Sequence, residues 1–177
     1  MQLVGSDLIL SPTDVVNHLT CEHLTQLNLL VASGDLAKPQ NDRSEVELIQ
    51  RLGLDHEQAY LNQLIDSGLT VIEIADAAQG RNGLRAAHNE TVAAMRSGAD
   101  VIFQATFFDG QWRGHADFLF KTPPGTHTDL GDFGYEPYDT KLARTAKVSA
   151  LVQLADYAVH IESIQGGCAA SDSHRAG

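Results

Sequence analysis

The amino-acid sequence predicts an α/β fold in which a mixed central β-sheet is flanked by helices. Three observations carry that expectation. Stretches with helical apolar spacing open and close the chain. A short run rich in β-branched residues, Leu69 to Ile74, lies between two of them. Two strand-like runs, Asp100 to Phe108 and Gln111 to Phe120, are joined by Asp109-Gly110, a pair suited to a two-residue type I′ hairpin turn. The elements do not alternate as a regular βαβ series, so the sheet should be mixed rather than all parallel.

The first helix is signalled by Ser11-Pro12-Thr13-Asp14, an N-cap serine with proline at the first helical position and an acid in the first turn. Its apolar residues run from Val15 to Leu30, and Gly34 is the expected stop. A second helical stretch covers about Asp42 to Asp66, with Gly53 as an interruption and Gly68 beyond its end. The β-branched strand follows, then a short helix from about Leu84 to Arg96 closed by Ser97-Gly98. After the hairpin, Thr122 to Gly134 reads as a loop and Tyr135 to Leu142 as a strand, in which Pro137 cannot donate to the ladder. A last helix spans roughly Thr145 to Ser163. One domain over residues 1–164 is expected, with a disordered tail over 165–177 rich in Gly, Ala, Ser and Asp.

Composition narrows the function classes. The 177 residues hold 12 Lys plus Arg against 23 Asp plus Glu, a formal charge of −11, so the chain does not coat nucleic acid by bulk charge. Phosphate contacts must come from a local basic cluster or from cations held by carboxylates. Two cysteines, Cys21 and Cys168, give no disulfide framework, and a reducing compartment is the default. The opening residues lack the basic and apolar regions of a targeting signal, and no apolar run approaches the ~18 residues of a membrane span. A soluble, cytoplasmic protein with no membrane partner is expected.

Asp117 lies inside the apolar run Ala116-Asp117-Phe118-Leu119-Phe120, where a carboxylate is costly unless it is paired, hydrogen-bonded or metal-bound. Tyr138-Asp139-Thr140-Lys141-Leu142 places Asp139 and Lys141 on one face of a strand. Carboxylates on neighbouring strands can hold a divalent cation, and a lysine beside them can orient water or offset phosphate charge. Either motif alone is common by chance; their ordered occurrence is more specific. Gln153 and Tyr157, at i and i+4, share a helical face, and both side chains can bond a phosphate. The basic stretch Lys141-Leu142-Ala143-Arg144-Thr145-Ala146-Lys147 opens the last helix with cations, which suits a bound anion. In Gly53-Leu54-Asp55-His56-Glu57, His56 can ligate a metal and Glu57 can support it.

Taken together these pieces resemble the nuclease domain of RecB-like proteins in the PD-(D/E)XK nuclease superfamily. The resemblance covers roughly Leu10 to Gly166. It rests on the entry helix from Ser11 to Cys21, the Gly53 to His56 step, Gly114-His115-Ala116-Asp117, Tyr138 to Ala143, and Gln153-Leu154-Ala155-Asp156-Tyr157. It implies a restriction-endonuclease-like core and DNA as partner. His56, Asp117 and Asp139, with the Thr140 carbonyl, are implied as ligands of Mg²⁺ or Mn²⁺. Lys141 is implied as the catalytic lysine, with Gln153 and Tyr157 as the motif that follows it. Some relatives carry an iron–sulfur cluster on one early and three late cysteines. Cys168 is the only late cysteine here, so no such cluster is expected and Cys21 should be a small buried apolar residue. Many relatives join this domain to helicase or further nuclease regions, so the chain is expected to be a truncated member of such a protein. The main expectation is a metal-dependent nuclease acting on DNA in repair or processing. The alternative is an inactive DNA-binding or partner-docking module on the same fold.

Overall fold

A computed structural model describes residues 1–39, 44–138 and 148–166. A two-stranded antiparallel ribbon, β1 (Gln2–Val4) and β2 (Asp7–Ile9), leads into helices α1 (Pro12–Thr20), α2 (Glu22–Ser33) and α3 (Ser44–Asp66). Strand β3 (Val71–Glu73), helix α4 (Gly80–Ser97), strands β4 (Val101–Phe108), β5 (Arg113–Lys121) and β6 (Tyr135–Tyr138), and helix α5 (Val148–Gln165) follow. The main sheet has the order β3-β4-β5-β6, with β3 parallel to β4 and the other neighbours antiparallel. The expected α/β class with a mixed, helix-flanked sheet is therefore observed.

Three apolar clusters hold helices to the sheet, the smallest setting Leu84 of α4 against Phe108 of β4 with Ile9. Ile102, Ala105 and Phe107 of β4 and Ala116 and Leu119 of β5 meet Ala87 and Met95 of α4 and Tyr157 and Ile161 of α5. Val101, Phe103 and Phe118 instead meet Leu61 of α3, with Tyr60 and Leu64 beside it. The side chains of a regular strand alternate between faces. Here Ile102 shares a cluster with Ala105, and Ala116 with Leu119, each three residues on. The alternation slips on both strands, at facing positions. Register pairs Phe103 with Phe118 and Ala105 with Ala116, leaving Gln104 and Asp117 between them. Gln104 has φ +55°, the one non-glycine among the described residues in the left-handed region.

Several local expectations are corrected. The first helix breaks at Cys21, which is extended (φ −163°) and ends α1 while starting α2. That residue is exposed rather than buried, because it sits at the corner between the two helices. Helix α3 passes through Gly53 without interruption, the roughly 1 kcal/mol propensity cost being outweighed by its packing through Leu61. The hairpin does not turn at Asp109-Gly110 alone. Phe108 pairs with Arg113 across a four-residue loop, whose Asp109 carboxylate accepts the N–H groups of Gln111 (2.8 Å) and Trp112 (2.7 Å). The backbone there is also committed to Leu10, which donates to the Gln111 carbonyl at 2.8 Å and accepts from the Arg113 N–H at 2.9 Å. The β1–β2 ribbon had no sequence signal of its own. Gly34 and Gly98 do end their helices in the left-handed conformation, as expected. Among the described residues no helix is long and apolar enough to cross a membrane.

Candidate functional site

The floor of the site is the first half of β5. Gly114 is buried there because α5 crosses directly above it: a Cβ at this position would lie 3.0 Å from Asp156 Oδ2 and 3.0 Å from Tyr157 Cε1. The small residue thus brings the Gln153–Tyr157 face of α5 down onto the strand that carries Asp117. From the other side α3 contributes Glu57, and the start of α1 closes one end through Pro12 and Thr13. The result is a cleft of about 310 Å³ into which Glu57, Asp117, Gln153 and Tyr157 all face.

Three residues singled out from the sequence, Asp117, Gln153 and Tyr157, therefore meet in one cleft. Asp117 and Gln153 are half-buried and Tyr157 is buried. His56 is exposed on α3 and is not part of the cleft lining; its neighbour Glu57 is. Asp139, Thr140 and Lys141 lie outside the described residues, as does Cys168. β6 is described up to Tyr138, which pairs with Phe118, the residue after Asp117.

Sequence reasoning missed Gln104. Its side-chain amide donates to Glu57 Oε2 at 3.2 Å, tying β4 to α3 at the edge of the cleft. A left-handed glutamine in a strand has no sequence signature, so only the geometry could reveal it. His115 and Arg113 also line the cleft. The His115 ring is held through Nδ1 by the Thr106 hydroxyl at 3.2 Å. Burial, and then the neighbouring Arg113 charge, push its pKa below the usual histidine value, against a smaller opposing effect of Asp76.

Behind the cleft is a second polar group. Asp156 Oδ2 is buried with no hydrogen-bond partner, and His160 Nε2 is 3.8 Å away. Burial raises the Asp156 pKa, Asp109 raises it further, and His160 opposes both. His160 itself stacks on Phe107, with ring centroids 5.5 Å apart and planes 2° from parallel.

Carboxylate oxygens from Glu57 and Asp117 are hard donors of the kind Mg²⁺ and Mn²⁺ prefer. Among the described residues no three His, Cys, Asp or Glu side chains form a metal-binding group. Comparison of the chain with protein-family models, with curated proteins and with solved structures finds no match.

Proposed function

We propose that this protein is a metal-dependent nuclease that hydrolyses DNA phosphodiester bonds on a restriction-endonuclease-like core. One observation carries the reading: Glu57, Asp117, Gln153 and Tyr157, from three separate elements, face one cleft. Asp117 and Glu57 are the ligands offered by β5 and α3, with Glu57 in place of the His56 that the family resemblance implied. Asp139 and Lys141, which follow β6 in the sequence, are assigned the remaining carboxylate and the lysine of the motif.

Bound Mg²⁺ or Mn²⁺ would polarise the phosphate and lower the pKa of the attacking water. Lys141 would orient that water and offset the charge that builds on the phosphate oxygens. Gln153, through its amide, and Tyr157, through its hydroxyl, would donate to a non-bridging oxygen and hold the phosphate in line. The attacking water would give up a proton to solvent as its oxygen bonds to phosphorus, the scissile P–O bond would break, and the leaving oxygen would take a proton from solvent.

The test is degradation of end-labelled single- and double-stranded DNA in Mg²⁺, Mn²⁺ or EDTA. Cleavage that requires the cation and is abolished by Asp117→Ala supports the proposal. A folded chain that binds DNA but cleaves neither substrate in either metal favours the docking-module alternative.

A further inference from the structure

A separate cavity of about 370 Å³ is lined by Val15 of α1, by Asp109 and Trp112 of the loop between β4 and β5, and by Asp156, Val159 and His160 of α5. It shares no lining residue with the cleft. Two carboxylates meet there for unrelated local reasons. Asp109 is held by the turn, and both of its backbone bonds fall on Oδ1, so the turn leaves Oδ2 unused. Asp156 is brought in by the close crossing of α5 over Gly114.

The polar groups of this wall are short of partners. Asp156 Oδ2 is buried without a hydrogen bond, and His160 Nε2, at 3.8 Å, is too far away to donate one. The His160 side chain is only 9% exposed, and among the described residues its ring makes no hydrogen bond. Burial pushes the Asp156 pKa up, His160 opposes that, and the Asp109 charge adds to the rise, so the two carboxylates repel each other. Buried carboxylate and imidazole groups left in this state are costly unless something in the cavity donates to them.

The charge of the wall calls for a cation, and the rest of the lining decides its kind. Among the described residues no three His, Cys, Asp or Glu side chains form a metal-binding group, which disfavours a bare metal ion. Val15, Val159 and the Trp112 indole instead offer apolar surface to a hydrocarbon body, and an indole also attracts an organic cation. The volume is near the small end of the ~300–1,000 Å³ range of small-molecule sites, which suits a short chain. We infer that this cavity binds a short primary alkylammonium ion, its head donating to Asp109 and Asp156 and its chain lying against Trp112 and Val159. The three N–H donors of an ammonium head can serve two carboxylates at once. The site would exist whether or not the cleft cleaves DNA.

Trp112 is the one tryptophan in the chain, so its emission reports on this cavity directly. The full chain is titrated in EDTA with n-pentylamine, and with 1-pentanol as the uncharged isostere, at constant ionic strength. Pentylamine is expected to change the emission saturably with a Kd below about 1 mM. Pentanol should bind at least about tenfold more weakly. Asp156→Asn and Asp109→Asn keep shape and drop a charge, and each should weaken pentylamine about tenfold. Glu162→Gln removes an equal charge from an exposed position on the same helix and should stay within about twofold of wild type. Nα-acetyl-lysine methylamide carries the same ammonium on a peptide backbone. Tighter binding of it than of pentylamine supports the ammonium site with a protein side chain as its source, and weaker binding supports a free amine. Equal binding of pentanol, equal weakening by Glu162→Gln, or no saturable change with pentylamine in the folded wild type overturns the site.

Discussion

The side-chain amide of Gln104 donates to the carboxylate of Glu57 at 3.2 Å, joining residues 47 positions apart in sequence. Gln104 makes this bond from a left-handed backbone, φ +55°, which costs a non-glycine residue about 1–2 kcal/mol. Strain kept at the edge of a polar cleft suggests that the bond serves the site rather than the fold.

Replacing Gln104 with glycine should therefore separate stability from function. Glycine accepts the backbone angle freely, so the melting temperature should rise by about 2–4 °C. Without the amide, Glu57 loses an orienting partner, and Mn²⁺ affinity should fall about tenfold. Differential scanning fluorimetry and calorimetric metal titration read the two effects. A variant that loses stability and keeps its metal affinity would make Gln104 a packing residue.

Glu57 and His56 are adjacent, yet only Glu57 faces the cleft. Glu57→Gln should lower cleavage by about two orders of magnitude, while His56→Gln should stay within about threefold of wild type. The opposite ranking in initial-rate assays would return the ligand role to the histidine.

Lys141→Ala should cut turnover by about 10²–10³-fold and leave the melting temperature and metal affinity nearly unchanged. Asp139→Ala should abolish metal binding together with activity if it supplies the ligand proposed for it. Near-normal turnover in a folded Lys141→Ala protein would make that lysine a surface counter-charge.

The buried Asp156 oxygen without a hydrogen bond predicts a stabilising substitution. Its carboxyl pKa is raised in the folded protein by burial, with Asp109 adding to it. The folded state thus gains from this group below the unfolded value of 3.8 and loses that gain as pH climbs through the raised folded value. Asp156→Asn removes the ionisation and should raise stability by about 1 kcal/mol at pH 8. The advantage should shrink on acidification, as the wild-type carboxyl takes up a proton. Melts of both proteins from pH 4 to 8 check this; a gap that widens toward low pH would contradict it.

The residues that betray themselves in sequence are those whose chemistry clashes with their surroundings. Asp117 in an apolar run was one, and the i, i+4 pair Gln153 and Tyr157 followed from helical geometry alone. The α/β class was legible because period-2 and period-3.6 patterns reflect burial directly. What stayed hidden depends on long-range geometry. The choice between His56 and Glu57 turns on a rotation of about 100° around α3, which no local pattern sets. The slip at Gln104 and Asp117 needs both strands at once. The turn after Phe108 was misread because Leu10, a hundred residues earlier, claims its backbone groups.

The two walls that bring Glu57 and Asp117 together are anchored very differently. β5 contributes to two of the apolar clusters, whereas among the described residues α3 is held by Leu61 with Tyr60 and Leu64, and α2 buries none. Resistance to local opening follows buried contact, so amide protons of β5 should exchange with deuterium only when the whole domain unfolds. Those of α3 exchange through a smaller fluctuation, and those of α2 most readily. Warming should therefore draw Glu57 away from Asp117 while the sheet is still intact, and the proposed cleavage should fail some degrees before the protein melts.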